Sequence, residues 1–298
     1  GEVPGTVLNQ FSMDEYKKTF RIATTAGQIW RTDRTISRNN VYVLDESLEI
    51  AGKIEDIAPG ERIYSARFLG DRAYLVTFKT VDPLFVLDLK DPKKPGILGA
   101  LKIPGYSDYL HPYDDNHIIG FGKDTVEIPQ KDFRGNITGT TAYYLGMKMA
   151  LFDVSDVNNP KEKFCEKIGD RGTDSEILRN HKALLYDKNK GLIAFPVTVM
   201  EAKGNNNNPA GFPAYGEFVF QGAYVYNLNL AEGFVLKGRI SHLAEQDYLK
   251  AGYSSFDYNK EVKRALYIED TVYTLSDSMI KANSLKDMKE IGSIKLPE

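Results

Sequence analysis

The sequence is poor in cysteine, tryptophan and histidine, with one, one and four among 298 residues. A single cysteine cannot form an internal disulfide, so the chain is not a disulfide-stabilised scaffold. Cys165 lies in a run with strand character, which predicts a small, buried hydrophobic side chain. The histidines show no HxxxH or HExxH spacing. A local zinc hydrolase motif is therefore excluded.

The chain also lacks an excess of positive charge, since 38 Lys and Arg residues face 41 Asp and Glu residues. This balance supplies no field that would attract nucleic acid or anionic lipid, so we expect no nucleic-acid partner. No apolar run approaches the roughly 18 residues of a membrane span, and the start, GEVPGTVL, has no signal-peptide core. Because the first residue is Gly, we expect that a targeting segment has been removed.

One stretch that is present, LFVLDLKDPKKPGILGALKIPG at 84–105, predicts a β-hairpin with a wide charged turn. Pro92 and Pro95 fix φ and lack a backbone donor, and Asp88 and Asp91 can accept hydrogen bonds from turn N–H groups. The pattern returns nearly residue for residue at 149–170, and more loosely at 41–60, 223–241 and 279–297. Repetition of one supersecondary unit indicates a repeat architecture.

Another pair of short strands precedes each hairpin, so the unit is four strands, a to d, repeated five times. The predicted repeats span 6–58, 62–104, 107–169, 177–241 and 264–297. Long insertions fall between strands b and c at 123–146 and 199–222. A further insertion, 241–263, predicts a short helix that Ser241 caps, that Gly252 ends, and that places Leu243, Tyr248 and Leu249 on one side.

Four-stranded units repeated in this way predict an all-β fold of the β-propeller class, because a single sheet cannot bury both faces and stacked neighbours can. The strings RFLGDRAYLVTF, DPLFVLDLKDPKKPGILG and IPGYSDYLHPYDDNHIIGFGKD resemble the secreted bacterial and archaeal proteins with a C-terminal β-propeller domain distantly related to WD40 repeats. The resemblance implies export to the cell surface or exterior. It supplies no catalytic residue, since the family's activity is unassigned. Its members are typically longer, so the five blades are either a complete ring or part of a larger propeller with upstream blades.

A candidate binding site follows from the expectation that the a strands line the central channel. Aligning their entries puts Asn9, Arg67, His111, Arg179 and Leu266 at matching heights. We interpret these residues as a polar funnel in which the two arginines bind a carboxylate or phosphate. The alternative is that they cross-link neighbouring blades and hold ordered water.

A metal site has weaker support. Asp170, Asp174 and Glu176 lie close together in DRGTDSE, and carboxylates are the ligands that Ca²⁺ prefers. The sequence has no D-x-[DN]-x-[DN]-G loop in its Asp-rich turns, and aspartates that cap turns explain those turns equally. No cofactor other than this weak Ca²⁺ candidate is predicted.

Two functions from different classes remain. The first is a non-catalytic extracellular or cell-surface module that recognises a protein, peptide or glycan through the funnel and the long b–c loops. Those loops carry the Asn-rich stretch 205–218, and Trp30, Tyr143 and Tyr144 add aromatic side chains to the same side.

The second hypothesis is a hydrolase or lyase that acts on an anionic glycan or peptide. His111 or His181 would be the acid/base, and Asp108 or Glu176 its partner. Propellers include both binding proteins and enzymes, so the fold cannot separate the two.

Overall fold

The computed structural model describes residues 1–28, 36–78, 82–203, 212–251 and 256–297. The chain divides into two compact units. The first comprises Gly1–Ala142 with Ala150–Lys163, and the second comprises Tyr143–Met149 with Phe164–Glu298.

The strands form five four-stranded antiparallel sheets, and the order within each sheet follows the chain. Sheet 1 contains β1 (Met13–Tyr16), β2 (Thr19–Ala26), β3 (Arg38–Leu44) and β4 (Ile50–Ile57). Sheet 2 contains β5 (Arg62–Leu69), β6 (Arg72–Phe78), β7 (Asp82–Asp88) and β8 (Gly96–Ile103). Sheet 3 contains β9 (Tyr106–Asp114), β10 (His117–Lys131), β11 (Ile137–Asp153) and β12 (Lys161–Ile168).

Sheet 4 contains β13 (Leu185–Asp187), β14 (Leu192–Glu201), β15 (Glu217–Asn229) and β16 (Gly233–Ile240). Sheet 5 contains β17 (Arg264–Ile268), β18 (Thr271–Leu275), β19 (Met279–Ser284) and β20 (Glu290–Lys295). Helical segments are short: the α-helix α1 (Glu245–Lys250) and the 3-10 helices Gln10–Ser12, Glu176–Leu178, His181–Ala183 and Tyr258–Lys260. This repeat of four-stranded antiparallel sheets confirms the predicted β-propeller class.

The recurrent acidic turns are formed as the sequence predicts. Asp88 accepts a hydrogen bond from the Lys90 N–H, and Asp91 accepts one from the Lys93 N–H. In the equivalent turn of sheet 3, Asp153 accepts from the Ser155 N–H. Each carboxylate therefore replaces a missing backbone partner at the point where strand c ends.

The fourth repeat starts differently from the prediction. Residues that were expected to begin strand a form two 3-10 helices, and β13 starts only at Leu185. Ser175 and Asn180 cause this, because their side chains accept hydrogen bonds from the N–H groups of Ile177 and Lys182. Such local bonds compete with strand pairing.

Two further expectations were wrong. Cys165 lies on β12 but is exposed, because the outermost strand turns alternate side chains to solvent. The helix in the 241–263 insertion starts after Ala244 instead of Ser241, and Leu249 is exposed while Leu243 packs in a cluster with Tyr248. The predicted stop at Gly252 lies outside the described residues.

The first insertion between strands b and c is continuous strand over most of its length. β10 and β11 extend through it as one long hairpin, and Asp132 closes the turn by accepting hydrogen bonds from the N–H groups of Arg134 and Asn136. The sequence was predicted to form a b–c loop there, because stacked repeats tolerate insertions in one kind of loop.

Within each unit the larger cores lie between neighbouring sheets. In the first unit one core joins Val41 and Val43 of sheet 1 to Leu75 and Leu87 of sheet 2. A second core joins residues of sheet 2, such as Val86, to residues of sheet 3. In the second unit sheets 4 and 5 share a core that contains Val225 and Val272, among others. Burying each such side chain stabilises the fold by roughly 1.5–3 kcal/mol.

Glycines in the outermost strands let the sheets approach closely. Gly52, Gly99 and Gly238 each pair with a residue of strand c immediately before a β-bulge. The c–d turn of the next sheet occupies the space where a side chain would be. A Cβ atom would lie 2.2 Å from the Pro92 carbonyl oxygen at Gly52, 2.4 Å from the Val157 carbonyl oxygen at Gly99, and 2.6 Å from Cγ of Met288 at Gly238.

Replacing Gly99 with alanine is expected to destabilise the first unit by about 2 kcal/mol, because the turn at Val157 must move away. Gly96 of the same strand is a matched control, since a Cβ there would meet nothing within 4 Å among the described atoms. Gly96→Ala should be neutral or slightly stabilising. Urea denaturation of both variants measures the difference, and equal midpoints would contradict the close approach.

Candidate functional site

A cleft of about 610 Å³ lies in the second unit, at the entry to strand a of sheets 4 and 5. Its walls combine the segment before the 3-10 helix Glu176–Leu178, the middle of β14, and the segments flanking β17 and β18. The volume suits a small ligand or a few residues of a peptide.

Buried hydrogen bonds hold the walls of the cleft in place. The buried Gln221 side chain donates to the Val262 carbonyl over 3.2 Å and accepts from the Val262 N–H over 3.0 Å. The Ser175 hydroxyl donates to the Pro196 carbonyl over 2.5 Å. The backbone on both sides is therefore fixed before any ligand arrives.

Charged side chains line the cleft in pairs. Arg179 Nη1 lies 2.7 Å from Asp174 Oδ2, and Lys263 Nζ lies 2.5 Å from Asp277 Oδ2. Glu176 accepts a hydrogen bond from Asn180 Nδ2 over 3.1 Å. Its Oε1 also lies 3.9 Å from Arg264 Nη2.

Glu261 is a further carboxylate of the cleft and lies outside these pairs. Within the described part of the chain its carboxylate has neither a hydrogen-bond nor an ion-pair partner, although the side chain is half-buried. Burial raises the pKa of the Glu261 carboxyl, opposed by the positive charge of Lys263 and reinforced by the negative charges of Glu176 and Asp277. The described residues of its walls include four carboxylates and three cations, which gives these residues a surplus of negative charge.

Of the two predicted funnel residues of the second unit, Arg179 lies in this cleft, where Asp174 engages it. Leu266 lies further along β17 and is not among the described residues that line the cleft. Sequence reasoning missed Glu261, Lys263 and Arg264. Their signal was the charged run NKEVKR, which directly precedes the a strand β17 and so occupies the position used to select Arg179. The alignment of strand entries used Leu266, which lies further along β17, and so did not include this charged run.

The predicted residues of the first unit also come together, around two aromatic rings. The Arg67 guanidinium lies 4.8 Å from the Phe11 ring, and the Phe11 and Tyr109 centroids are 5.4 Å apart. Asn9 accepts a hydrogen bond from the Phe11 N–H and so fixes the backbone that carries this ring. The prediction lacked Phe11 and Tyr109, which hold Asn9, Arg67 and His111 in one cluster.

His111 is oriented by a hydrogen bond of 2.9 Å between its Nδ1 and the Tyr109 hydroxyl. Burial raises the pKa of Tyr109, and the nearby positive charge of Arg67 opposes this rise. A tyrosine that stays protonated can donate to Nδ1, which leaves the histidine proton on Nε2.

The four residues of the enzyme hypothesis lie in different units. Asp108 and His111 are on β9, where Asp108 is the extra residue of a β-bulge. Glu176 and His181 begin the two 3-10 helices of the second unit. Their proposed catalytic roles remain predictions.

The calcium candidates have protein partners. The Asp170 carboxylate accepts a hydrogen bond from the Ala202 N–H, while Asp174 and Glu176 face the arginines of the cleft. Among the described residues no group of three or more His, Cys, Asp or Glu side chains is arranged to hold a metal ion. The Ca²⁺ site therefore stays a prediction. Trp30, also predicted to contact ligand, lies outside the described residues.

Five four-stranded antiparallel sheets define a protein of the β-propeller class. The chain belongs to the Beta propeller domain family, whose model matches residues 1–288. In the described residues, no helix has the length and apolar character needed to cross a bilayer.

Curated relatives come from archaea. An uncharacterized protein of Methanocaldococcus jannaschii is 38% identical over 85% of this chain and 39% of its own length. An uncharacterized protein of Archaeoglobus fulgidus is 34% identical over 99% of this chain and 36% of its own length. The chain therefore spans less than two fifths of the curated relatives it matches.

Solved structures are similar to this chain at low sequence identity. Apo AztD from Citrobacter koseri is 11% identical, with a TM-score of 0.49 over 95% of this chain and 59% of that chain. The WD40 domain of SCAP from fission yeast is 12% identical, with a TM-score of 0.40 over 99% of this chain and 58% of that chain.

Proposed function

We propose that this protein is a non-catalytic recognition module that acts at the cell surface or outside the cell, and that the cleft of the second unit binds a basic group of a protein or peptide. The unpaired, half-buried Glu261 carboxylate carries the proposal. Support for the location is the resemblance to secreted propeller proteins, and protease treatment of intact cells tests it.

A cationic group suits the cleft because each of its own cations already faces a carboxylate. A lysine or arginine side chain, or a peptide amino terminus, would give Glu261 its missing partner and relieve its repulsion with Glu176 and Asp277. Among the described residues that line the cleft there is no aromatic ring, so these residues offer a sugar no ring face to stack on. A peptide is therefore favoured over a glycan.

An arrangement that bears on the enzyme hypothesis is the hydrogen bond of 2.8 Å between Ser276 at the cleft and His242 Nδ1. Burial lowers the pKa of His242 to about 4, and its other ring nitrogen meets the neutral Thr274 hydroxyl. An effective general base needs a pKa near the working pH and a group that stabilises its charged form. We therefore interpret the pair as structural.

Replacing Glu261 with glutamine is expected to weaken binding of fluorescein-labelled tetralysine by roughly tenfold or more, since a charge-assisted hydrogen bond is lost. Fluorescence anisotropy measures this at physiological salt. Glu245→Gln is the matched control, because Glu245 is an exposed acid on α1 of the same unit and its loss changes the net charge equally. Equal weakening in both variants, or tighter binding of labelled tetraglutamate than of tetralysine, would refute the proposed cleft chemistry.

A further inference from the structure

Sheet 5 has two faces of different composition, and the more apolar one is exposed. By strand register, one face carries Ala265, Tyr267 and Val272, which pack in the core shared with sheet 4. The same face also carries Lys281, which pairs with Glu290. We call the opposite face of sheet 5 the outer face.

The outer face carries Leu266, Ile268, Tyr273, Ile280, Ala282 and Ile294. Leu266, Ile268 and Ile294 are 40%, 59% and 65% exposed. Along the described strands of this face the register places one charged residue, Arg264, at the end that borders the cleft. A contiguous apolar patch of this kind marks an interaction surface.

Gly292 of β20 marks a point on the outer face that resembles the turn-binding positions of the other sheets. It pairs with Ala282 immediately before a β-bulge, which is the register that Gly52, Gly99 and Gly238 have in their sheets. Those three glycines each receive the c–d turn of the following sheet. At Gly292, a Cβ would meet nothing within 4 Å among the described atoms. Gly292 therefore has the same register as the other three glycines, but no turn among the described residues fills the space beside it.

We propose that the outer face of sheet 5 is a docking surface for a further four-stranded sheet of the same repeat, belonging to the same polypeptide, whose c–d turn lies over Gly292. The cores between sheets 1 and 2, 2 and 3, and 4 and 5 show that this chain buries apolar faces in this way. The curated relatives have polypeptide to supply such a sheet, since this chain matches 36% of one and 39% of the other.

The size of the face favours a linked sheet over a separate molecule. Four strands about 4.8 Å apart, with about five residues of 3.4 Å each, give a face of roughly 330 Å². Stable complexes between separate proteins bury about 800 Å² on each partner, because association costs translational and rotational freedom. A linked sheet largely avoids that cost through its high effective concentration.

The test compares the 298-residue chain with the full-length Archaeoglobus fulgidus relative. Gly292→Val in the short chain is expected to leave the melting temperature unchanged, since the side chain has room. Valine at the aligned position of the full-length relative should lower it by about 5 °C, because the turn is displaced. Gly139, which also has open space around it, and its aligned residue provide the control substitution in both proteins.

Hydrogen exchange supplies a second measurement. The backbone of β20 should exchange quickly in the short chain, and the aligned strand of the full-length relative should be protected. Equal melting temperatures for the full-length relative and its valine variant, or equal exchange in the two proteins, would overturn the proposal. A doubled mass of the short chain in light scattering that Ile294→Lys reverts, but Ile97→Lys on β8 does not, would assign the face to a second copy and overturn it as well.

Discussion

Asp14→Ala is expected to lower the free energy of unfolding of the first unit by about 3 kcal/mol, because it leaves a buried guanidinium without its counter-ion. Arg21 is 1% exposed, and its Nε and Nη2 donate to the two carboxylate oxygens of Asp14. Its Nη1 donates to the Gly70 carbonyl over 2.5 Å, and its plane covers the Phe68 ring at 5.3 Å. This arginine therefore links strand b of sheet 1 to the first hairpin of sheet 2.

The expected effects of the two partners differ. Arg21→Met should cost less than Asp14→Ala, because the remaining Asp14 carboxylate is 29% exposed and can be hydrated, whereas the remaining Arg21 cannot. Urea denaturation followed by circular dichroism measures both changes. Lys17→Ala is the control: its pair with Asp71 is exposed, and such pairs contribute under about 1 kcal/mol. Asp14→Ala and Lys17→Ala with equal midpoints would refute the structural role of the buried pair.

The repeat architecture could be predicted because its signals are local. Each acidic turn is specified by Asp and Pro residues within a few positions of one another, and the structure forms the turns at Asp88, Asp91 and Asp153 as expected. The alternation of apolar residues then fixes which face of each strand is buried. The c–d turns of the other three repeats are looser copies of this signal.

The docking glycines escaped prediction because their role is a contact between sheets. Gly52, Gly99 and Gly238 stand in strands, where a glycine alone indicates only a bulge or a close approach of unknown partner. Only the structure shows that the turn of the following sheet fills each position. The repeated c–d turn and the repeated glycine therefore form the same contact between neighbouring sheets each time.

The cleft was predictable in part. The alignment of strand-a entries selected Arg179, which lines the cleft, but it could not reveal that Asp174 engages Arg179. That pairing depends on the two 3-10 helices that Ser175 and Asn180 nucleate. The negative surplus at Glu261 emerges only when all the charges of the cleft are in place.

Lowering the pH from 7 to 4 is expected to cost the second unit about 3 kcal/mol of stability through His242 alone. This side chain is buried, and its two ring nitrogens hydrogen-bond the Ser276 and Thr274 hydroxyls over 2.8 and 2.9 Å. Burial lowers the pKa of His242 from 6.5 to about 4, with the positive charge of Lys281 adding to this and Glu290 opposing it.

The direction of this change in stability follows from proton uptake. At pH 7 the histidine is neutral in both states, so its contribution is fully present. As the pH falls through 6.5 the unfolded chain binds a proton that the folded chain refuses until about pH 4, and the folded state loses stability across that window. A difference of about 2.5 pKa units corresponds to about 3 kcal/mol.

His242→Gln removes this titration while keeping a side chain that can reach both hydroxyls. The variant should be less stable than the parent at pH 7, because the fit of the ring is lost, but its stability should fall by about 3 kcal/mol less between pH 7 and pH 4. Urea denaturation at a series of pH values measures both slopes, and carboxylates common to the two proteins cancel in the difference. If His242→Gln and the parent lose stability in parallel over this range, His242 is not buried in its neutral form.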